Sequence, residues 1–238
     1  MTRQVYQGRQ AATVAQPHRF RHWLGRFADR MAPPRCLACG SADCASGVDL
    51  CSQCERDLPE AVPAFQPGSP PLAALFSPWR YDYPVDRLVR ALKFHGDRTI
   101  ARTLGALLAR RRRLLAESLP DLVVPVPLHP ARLRSRGYNQ ADEIARYVAA
   151  ELGLRRLPQA LQRIRDTPAQ SRLPAAVRRR NPGDAFQAGP ACHALLAGRR
   201  IALIDDVVTT GSTARAAATA LLAAQAAQVE LWTLARAE

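Results

Sequence analysis

Ile201-Ala202-Leu203-Ile204-Asp205-Asp206-Val207-Val208-Thr209-Thr210-Gly211-Ser212-Thr213 is the stretch from which the rest of the chain can be read. Four apolar residues precede two adjacent carboxylates. A Thr/Gly/Ser loop follows, and an Ala-rich run begins at Ala214. The pattern reads as a buried strand, an acidic strand end and a small-residue loop that opens a helix. A helix N-terminus offers unpaired N–H groups and the positive end of a dipole, which suits a phosphate. Gly211 permits close backbone approach, and the neighbouring hydroxyls add donors. Two carboxylates beside a phosphate would repel it, so they need another partner. Sugar hydroxyls, or a divalent metal held through them, meet that need. Phosphate on one side and polyol on the other describe a phosphorylated ribose. The same residues also fit a buried strand followed by an ordinarily capped helix, because Asp, Thr and Ser are common caps.

Outward from this stretch, residues 72–238 alternate strand and helix. Ala73 to Tyr81 reads as extended. Val85, Leu88, Val89 and Leu92 mark a helix that stops at Gly96, and Ile100, Leu104, Leu107 and Leu108 mark a second. Leu122 to Val126 is a strand stopped by Pro127 and Pro130. Ala141, Ile144, Tyr147, Val148 and Leu152 form a helical stripe closed by Gly153, and Val229 to Leu234 is a last strand. Apolar strands alternating with helices predict an α/β fold with a parallel sheet covered on both faces. Ligands of such sheets bind at the carboxyl ends of the strands.

Two further segments carry chemistry. Val124-Pro125-Val126-Pro127 leads into Arg132, Arg134 and Arg136, then Gly137-Tyr138-Asn139-Gln140. On an extended loop, alternate arginines point the same way and would grip one polyanion such as a pyrophosphate; a solvated basic loop is the plainer reading. Arg163-Ile164-Arg165-Asp166-Thr167-Pro168-Ala169-Gln170 opens a long basic stretch that runs to Phe186. Lying between two strands, it reads as a lid or as a surface connection.

Cys36-x-x-Cys39 and Cys51-x-x-Cys54 are separated by eleven residues. In a reducing compartment this spacing reads as metal rather than disulfide, with four thiolates closing a structural Zn²⁺ site. Cys44 lies between the pairs and is a possible substitute ligand; Cys192 lies far away. Residues 59–71 hold six prolines and glycines and read as a stiff linker. The predicted organisation is therefore a tail with a short amphipathic helix over residues 1–30, a four-cysteine zinc module over 31–58, the linker over 59–71, and the α/β domain over 72–238. The amphipathic helix is carried by Phe20, Trp23, Leu24, Phe27 and Met31.

The net charge is +14, and Lys93 is the only lysine, so the excess is arginine. Arginine suits phosphate and nucleic acid, but an Arg- and Ala-rich composition alone would give the same excess. The runs Arg110 to Arg113 and Arg178 to Arg180 fit a solvated helix face as well as a binding surface. No apolar run approaches the length of a membrane span, and no secretory signal pattern opens the sequence, so a cytoplasmic protein without stable membrane insertion is expected.

Residue by residue, the opening stretch resembles the signature of the type I phosphoribosyltransferases: hydrophobics, Asp-Asp, two apolar residues, Thr-Thr-Gly, a small residue and Thr. This resemblance implies phosphoribosyl pyrophosphate as ligand. Thr209, Thr210, Gly211, Ser212 and Thr213 would hold its 5-phosphate, and Asp205 and Asp206 its ribose hydroxyls. Mg²⁺ with Arg132, Arg134 or Arg136 would neutralise the pyrophosphate. The order of the paired cysteines, Leu92-Lys93-Phe94, Pro-Val-Pro-Leu, Arg-Gly-Tyr-Asn-Gln, Arg-x-Arg-x-Thr-x-x-Gln and the phosphoribosyl signature is similar to that of the ComF family, over about residues 31–238. Family members often carry further N-terminal cysteines; with four paired here, one zinc is expected. The resemblance implies a role in DNA uptake during natural competence, with a helicase and single-stranded DNA as partners. Three readings stand at this level: a pentosyl-transferring enzyme of unassigned acceptor, a noncatalytic adaptor that docks a helicase or DNA through its zinc module and basic surface, and a direct nucleic-acid binder.

Overall fold

The strand that heads the signature takes a central place in a seven-stranded sheet. A computed structural model describes residues 35–44, 48–115, 118–165 and 185–237. The tail and helix expected over residues 1–31, and the 166–184 portion of the basic stretch with Arg178 to Arg180, lie outside the described residues. Arg35–Glu238 groups as one compact unit. In chain order its elements are α1 (Ser52–Arg56), β1 (Phe65–Pro67), β2 (Ala74–Phe76), β3 (Trp79–Arg80), α2 (Val85–His95), α3 (Arg98–Leu115) and β4 (Leu122–Pro125). There follow α4 (Pro130–Arg136), α5 (Gln140–Leu152), β5 (Arg155–Arg156), β6 (Leu161–Arg163), β7 (Phe186–Ala188), α6 (His193–Leu196), β8 (Arg200–Val208), α7 (Ser212–Ala223) and β9 (Gln228–Arg236).

The sheet runs β1-β2-β9-β8-β4-β5, with β3 also on β9; β6 and β7 form a separate antiparallel pair. Every pairing in the large sheet is parallel except β1 with β2. Parallel neighbours need crossovers, and the helices that supply them cover both faces. Period-two alternation divides β8 between two cores. Ala202 and Ile204 pack with Val85, Leu88, Leu92, Leu104 and Ile144. Ile201 and Leu203 pack with Ala217, Leu221 and Leu231 on the α7 face. Gly105, in mid-helix where glycine is costly, lets α3 and α5 close up: a Cβ there would stand 3.1 Å from the Ile144 carbonyl and from Tyr147 Cβ.

The proline-rich stretch of residues 59–71 supplies β1, which pairs with β2, and Glu60 bridges to Trp79. Val48, Leu50, Leu58, Cys36 and Cys51 are buried in the same core as α2, α3 and α5. The Asp49 N–H donates to Thr103 Oγ1 at 3.1 Å, and Arg102 pairs with the Asp49 carboxylate at 2.5 Å.

Two expectations about arginines change. The arginine run at the end of α3 is a solvated face at Arg110 and Arg113 but not at Arg112, and its charges are paired within the chain. Arg110 pairs with Glu151 at 3.2 Å, Arg111 with Glu60 at 2.7 Å, and Arg113 donates to the Glu151 carbonyl. Arg112 is 3% exposed; it pairs with Glu230 and lies 4.8 Å from the Phe65 ring centroid and 5.1 Å from that of Trp232. The segment carrying Arg132, Arg134 and Arg136 is helix, not extended loop. His129 Nδ1 accepts from the Ala131 N–H at its N-cap, and Pro130 at the first helical position has no N–H to lose. On a helix, alternate residues diverge, so Arg132 and Arg136 share a half-buried face while Arg134 is exposed. No helix among the described residues is long and apolar enough to cross a membrane.

Candidate functional site

Asp205 and Asp206 fall near the carboxyl end of β8, with Val207 and Val208 still in the strand after them. The Val126 N–H donates to the Ile204 carbonyl at 2.8 Å, so the carboxyl ends of β4 and β8 stand side by side. The Asp206 N–H donates to Asp205 Oδ1 at 2.9 Å, and the Val207 N–H to Asp206 Oδ1 at 2.7 Å. Neighbouring residues on a strand face opposite ways. Asp205 accordingly shares the α7 face with Ile201 and Leu203, and Asp206 the α2 face with Ala202 and Ile204.

On the α7 side, Asp205 lines an open pocket of about 50 Å³ with Val207, Val208, Thr209, Thr210, Gly211, Ser212 and Thr213. Gly211 caps α7 at φ 69°, in the left-handed region, and makes no side-chain cap bond. Thr210 Oγ1 donates to Ser212 Oγ at 3.2 Å, which holds the loop in a tight turn. The Ser212 N–H donates weakly to Thr210 Oγ1 at 3.5 Å, and the N–H groups that follow it in the first turn of α7 are left for a ligand. Burial and the charge of Asp206 push the Asp205 carboxyl up to about 7, against the pull of the Asp206 N–H, Lys93 and Arg163.

On the α2 side, Lys93 Nζ sits 3.2 Å from Asp206 Oδ2, with the lysine side chain 24% and the aspartate 13% exposed. Asn139 Nδ2 donates to the Val126 carbonyl at 3.0 Å and ties the Arg-Gly-Tyr-Asn turn to the same sheet edge. Arg136 donates to Gln140 Oε1 at 3.3 Å and its guanidinium lies 5.8 Å from the Phe94 ring centroid, next along α2 from Lys93. The structure therefore brings the Asp pair, the 209–213 loop and Arg136 to one edge, with Arg132 on the same face of α4. Sequence reasoning gave no site role to Lys93 or Arg163. The signal for Lys93 was available, since every other Lys or Arg position in the chain is arginine. Arg163 acts on Asp205 from β6, a separate sheet, and nothing local announces that.

The second candidate centre is the cysteine cluster. Four sulfurs around one Zn²⁺ at about 2.3 Å would stand about 3.8 Å apart in a tetrahedron. Cys39 Sγ and Cys51 Sγ are 3.8 Å apart, and one sulfur from each of Cys36, Cys39, Cys51 and Cys54 lies within 4.8 Å of the others. Burial pushes the Cys36 thiol up, but backbone hydrogen bonds from Cys51, Cys39 and Ala38 outweigh it and bring it down to about 6. Burial and the sulfurs of Cys51, Cys39 and Cys36 push Cys54 up. Four thiols so close cannot all ionise without a cation among them, and the set fits a structural metal such as zinc. Cys44 stands outside the four, its thiol donating to the Ser41 carbonyl at 3.8 Å.

A mostly parallel sheet with an acidic pair and a small-residue loop at its carboxyl edge defines an α/β domain, here joined to a cysteine cluster. No protein-family model matches the chain. Over 198 residues it is 38% identical to the DNA utilization protein YhgH of Salmonella typhimurium, covering 79% of this chain and 85% of that protein. It is 36% identical to YhgH of Escherichia coli K12 over 171 residues, covering 70% and 74%. It is 35% identical to competence protein F of Haemophilus influenzae over 161 residues, covering 66% and 70%. The chain belongs to this family of competence protein F and YhgH, the ComF family. Among solved structures it is similar to the allosteric regulatory enzyme of purine biosynthesis, with a TM-score of 0.37 and 22% identity over 55% of this chain and 24% of that one. It is also similar to glutamine phosphoribosylpyrophosphate amidotransferase from B. subtilis, with a TM-score of 0.36 and 22% identity over 55% and 25%. The chain spans about a quarter of the length of those two chains.

Proposed function

We propose that this chain binds phosphoribosyl pyrophosphate at the carboxyl edge of β8 and acts as a phosphoribosyltransferase-like protein in DNA utilization. The observation that carries the reading is the pocket shared by Asp205 and the 209–213 loop, with Asp206 at the same strand end. The N–H groups and hydroxyls of Thr209, Thr210, Gly211, Ser212 and Thr213 would take the 5-phosphate. Asp205 and Asp206 would take the ribose hydroxyls and fix the ring. Arg136, with Arg132 on its helix face, is the cation source for the pyrophosphate. Mg²⁺ would arrive with that pyrophosphate and supply charge neutralisation. The family names support a place in DNA uptake, with a helicase and single-stranded DNA as proposed partners.

The test is calorimetric titration of phosphoribosyl pyrophosphate with Mg²⁺ into the purified full chain. Micromolar binding is expected, lost in Asp205→Asn/Asp206→Asn. It is also lost in Gly211→Val, where φ is 69° and a β-branched side chain is strained. Equal affinity in the wild type and these folded variants would refute the reading.

A further inference from the structure

Every Lys or Arg position in this chain but one is arginine. The exception, Lys93, is near the end of α2, with its ammonium on Asp206 Oδ2. The acidic pair is thereby made unequal. Asp206, on the α2 face, has a cation of its own at 3.2 Å. Asp205, on the α7 face, has the Asp206 N–H at 2.9 Å, and otherwise feels the Asp206 charge, Lys93 and Arg163 at longer range. Its register partner on β9 is Thr233, which is neutral, fully buried and without a hydroxyl partner among the described residues. Among the described residues, no cation forms an ion pair with Asp205 as Lys93 does with Asp206.

A ribose diol presents two hydroxyls, each a donor and an acceptor. Two bare carboxylates offer acceptors alone, repel each other and repel a nearby phosphate. One acid and one carboxylate offer a donor and an acceptor at half the charge.

We propose that Lys93 is a positioning residue for this pair: its ammonium holds Asp206 as the carboxylate, so that the proton the acidic pair keeps resides on Asp205, which meets a sugar hydroxyl as a donor. The use of the pair on a diol rests on the phosphoribosyl reading above. The division of the proton does not. Burial and the Asp206 charge, which push the Asp205 carboxyl up to about 7, act in the same direction.

The experiment is a carboxyl-carbon NMR titration of the full chain, with Asp205→Asn and Asp206→Asn as assignment controls. In the wild type, the Asp205 carboxyl titrates near neutrality and the Asp206 signal moves separately. In Lys93→Met the two signals move together, as expected of a coupled pair sharing one proton, and the step rises by about one pH unit. Lys93→Arg keeps the charge and the wild-type pattern. Because Lys93 is the only lysine, acetylating the folded wild-type protein removes the same charge without a refolding step, and it should reproduce Lys93→Met. Phosphoribosyl pyrophosphate titrated into the same samples at pH 7 should bind about tenfold more weakly where the charge is gone, a factor equal to one pH unit. An acetylated protein with the wild-type titration pattern overturns the proposal, as does a merged titration in Lys93→Arg. Failure of the unmodified protein to bind the ligand would refute the phosphoribosyl reading, while the carboxyl pattern would still decide what Lys93 does to the pair.

Discussion

Asp205 holds a proton that an unfolded chain would release. Its carboxyl lies at about 7 in the folded protein against an ordinary 3.8, because burial and the Asp206 charge disfavour ionisation. Between those values the folded state binds more protons than the unfolded one, so raising the pH through this window lowers stability. Above the window the carboxylate is ionised in both states and the penalty is full. Asn at this position carries no such proton. The stability difference between Asp205→Asn and the wild type should therefore shift in favour of Asn from about pH 4 to pH 7 and then level off. Urea denaturation of both proteins across that range measures it, and a difference independent of pH would contradict the burial of this charge.

The helix α3 shows how an element can absorb what looks like a binding feature. Its terminal arginines pair within the chain, Arg110 and Arg111 at the surface with Glu151 and Glu60, and Arg112 in the interior with Glu230. Arg112 is the central case. Its guanidinium lies against Phe65, Phe76 and Trp232, and Trp232 Nε1 donates to the same Glu230 oxygen at 2.9 Å. Arg112→Leu would keep the apolar stem but leave Glu230 without its cation under the helix. We expect a loss of about 3 kcal/mol, the scale for breaking one side of a buried pair. A urea midpoint within error of the wild type would show that water replaces the arginine. Helix α4 teaches the opposite lesson: a cap and a proline at the first position convert a basic segment into a helix with two half-buried arginines on one face and one exposed away from it.

At the scale of the whole molecule, the cysteine cluster is continuous with the main core. Val48, Leu50 and Leu58 pack with Leu104 and Ile144, and Asp49 is held by Thr103 and Arg102 of α3. Metal that orders the cluster therefore stabilises the whole unit. Stripping the metal with a chelator, or Cys51→Ser, should lower the single calorimetric unfolding transition by several degrees rather than melt a separate piece. Two resolved transitions, the larger one unmoved, would show that the cluster folds alone.

The strand-loop-helix at residues 201–213 was legible because its chemistry is local: four apolar residues, an acidic pair, one glycine and a cap region are adjacent in the chain. The paired cysteines were legible for the same reason, since a fixed spacing carries the ligand geometry. The helices α2, α3 and α5 followed from a period of 3.6 residues, and Gly96 and Gly153 marked two of their ends. Burial partners were not legible. Nothing beside Arg112 in the chain names Glu230, and nothing near Lys93 names Asp206, because those contacts join residues 118 and 113 positions apart. The sequence by itself determined the parallel α/β class, the loop at the strand end and the four-cysteine set, through periodicity and spacing. Only the tertiary structure decided which arginines serve the core and which face the site, and that the two aspartates lie on opposite faces with one lysine between α2 and β8. Those are matters of packing, where the free energy of a charge depends on the partner the fold brings to it.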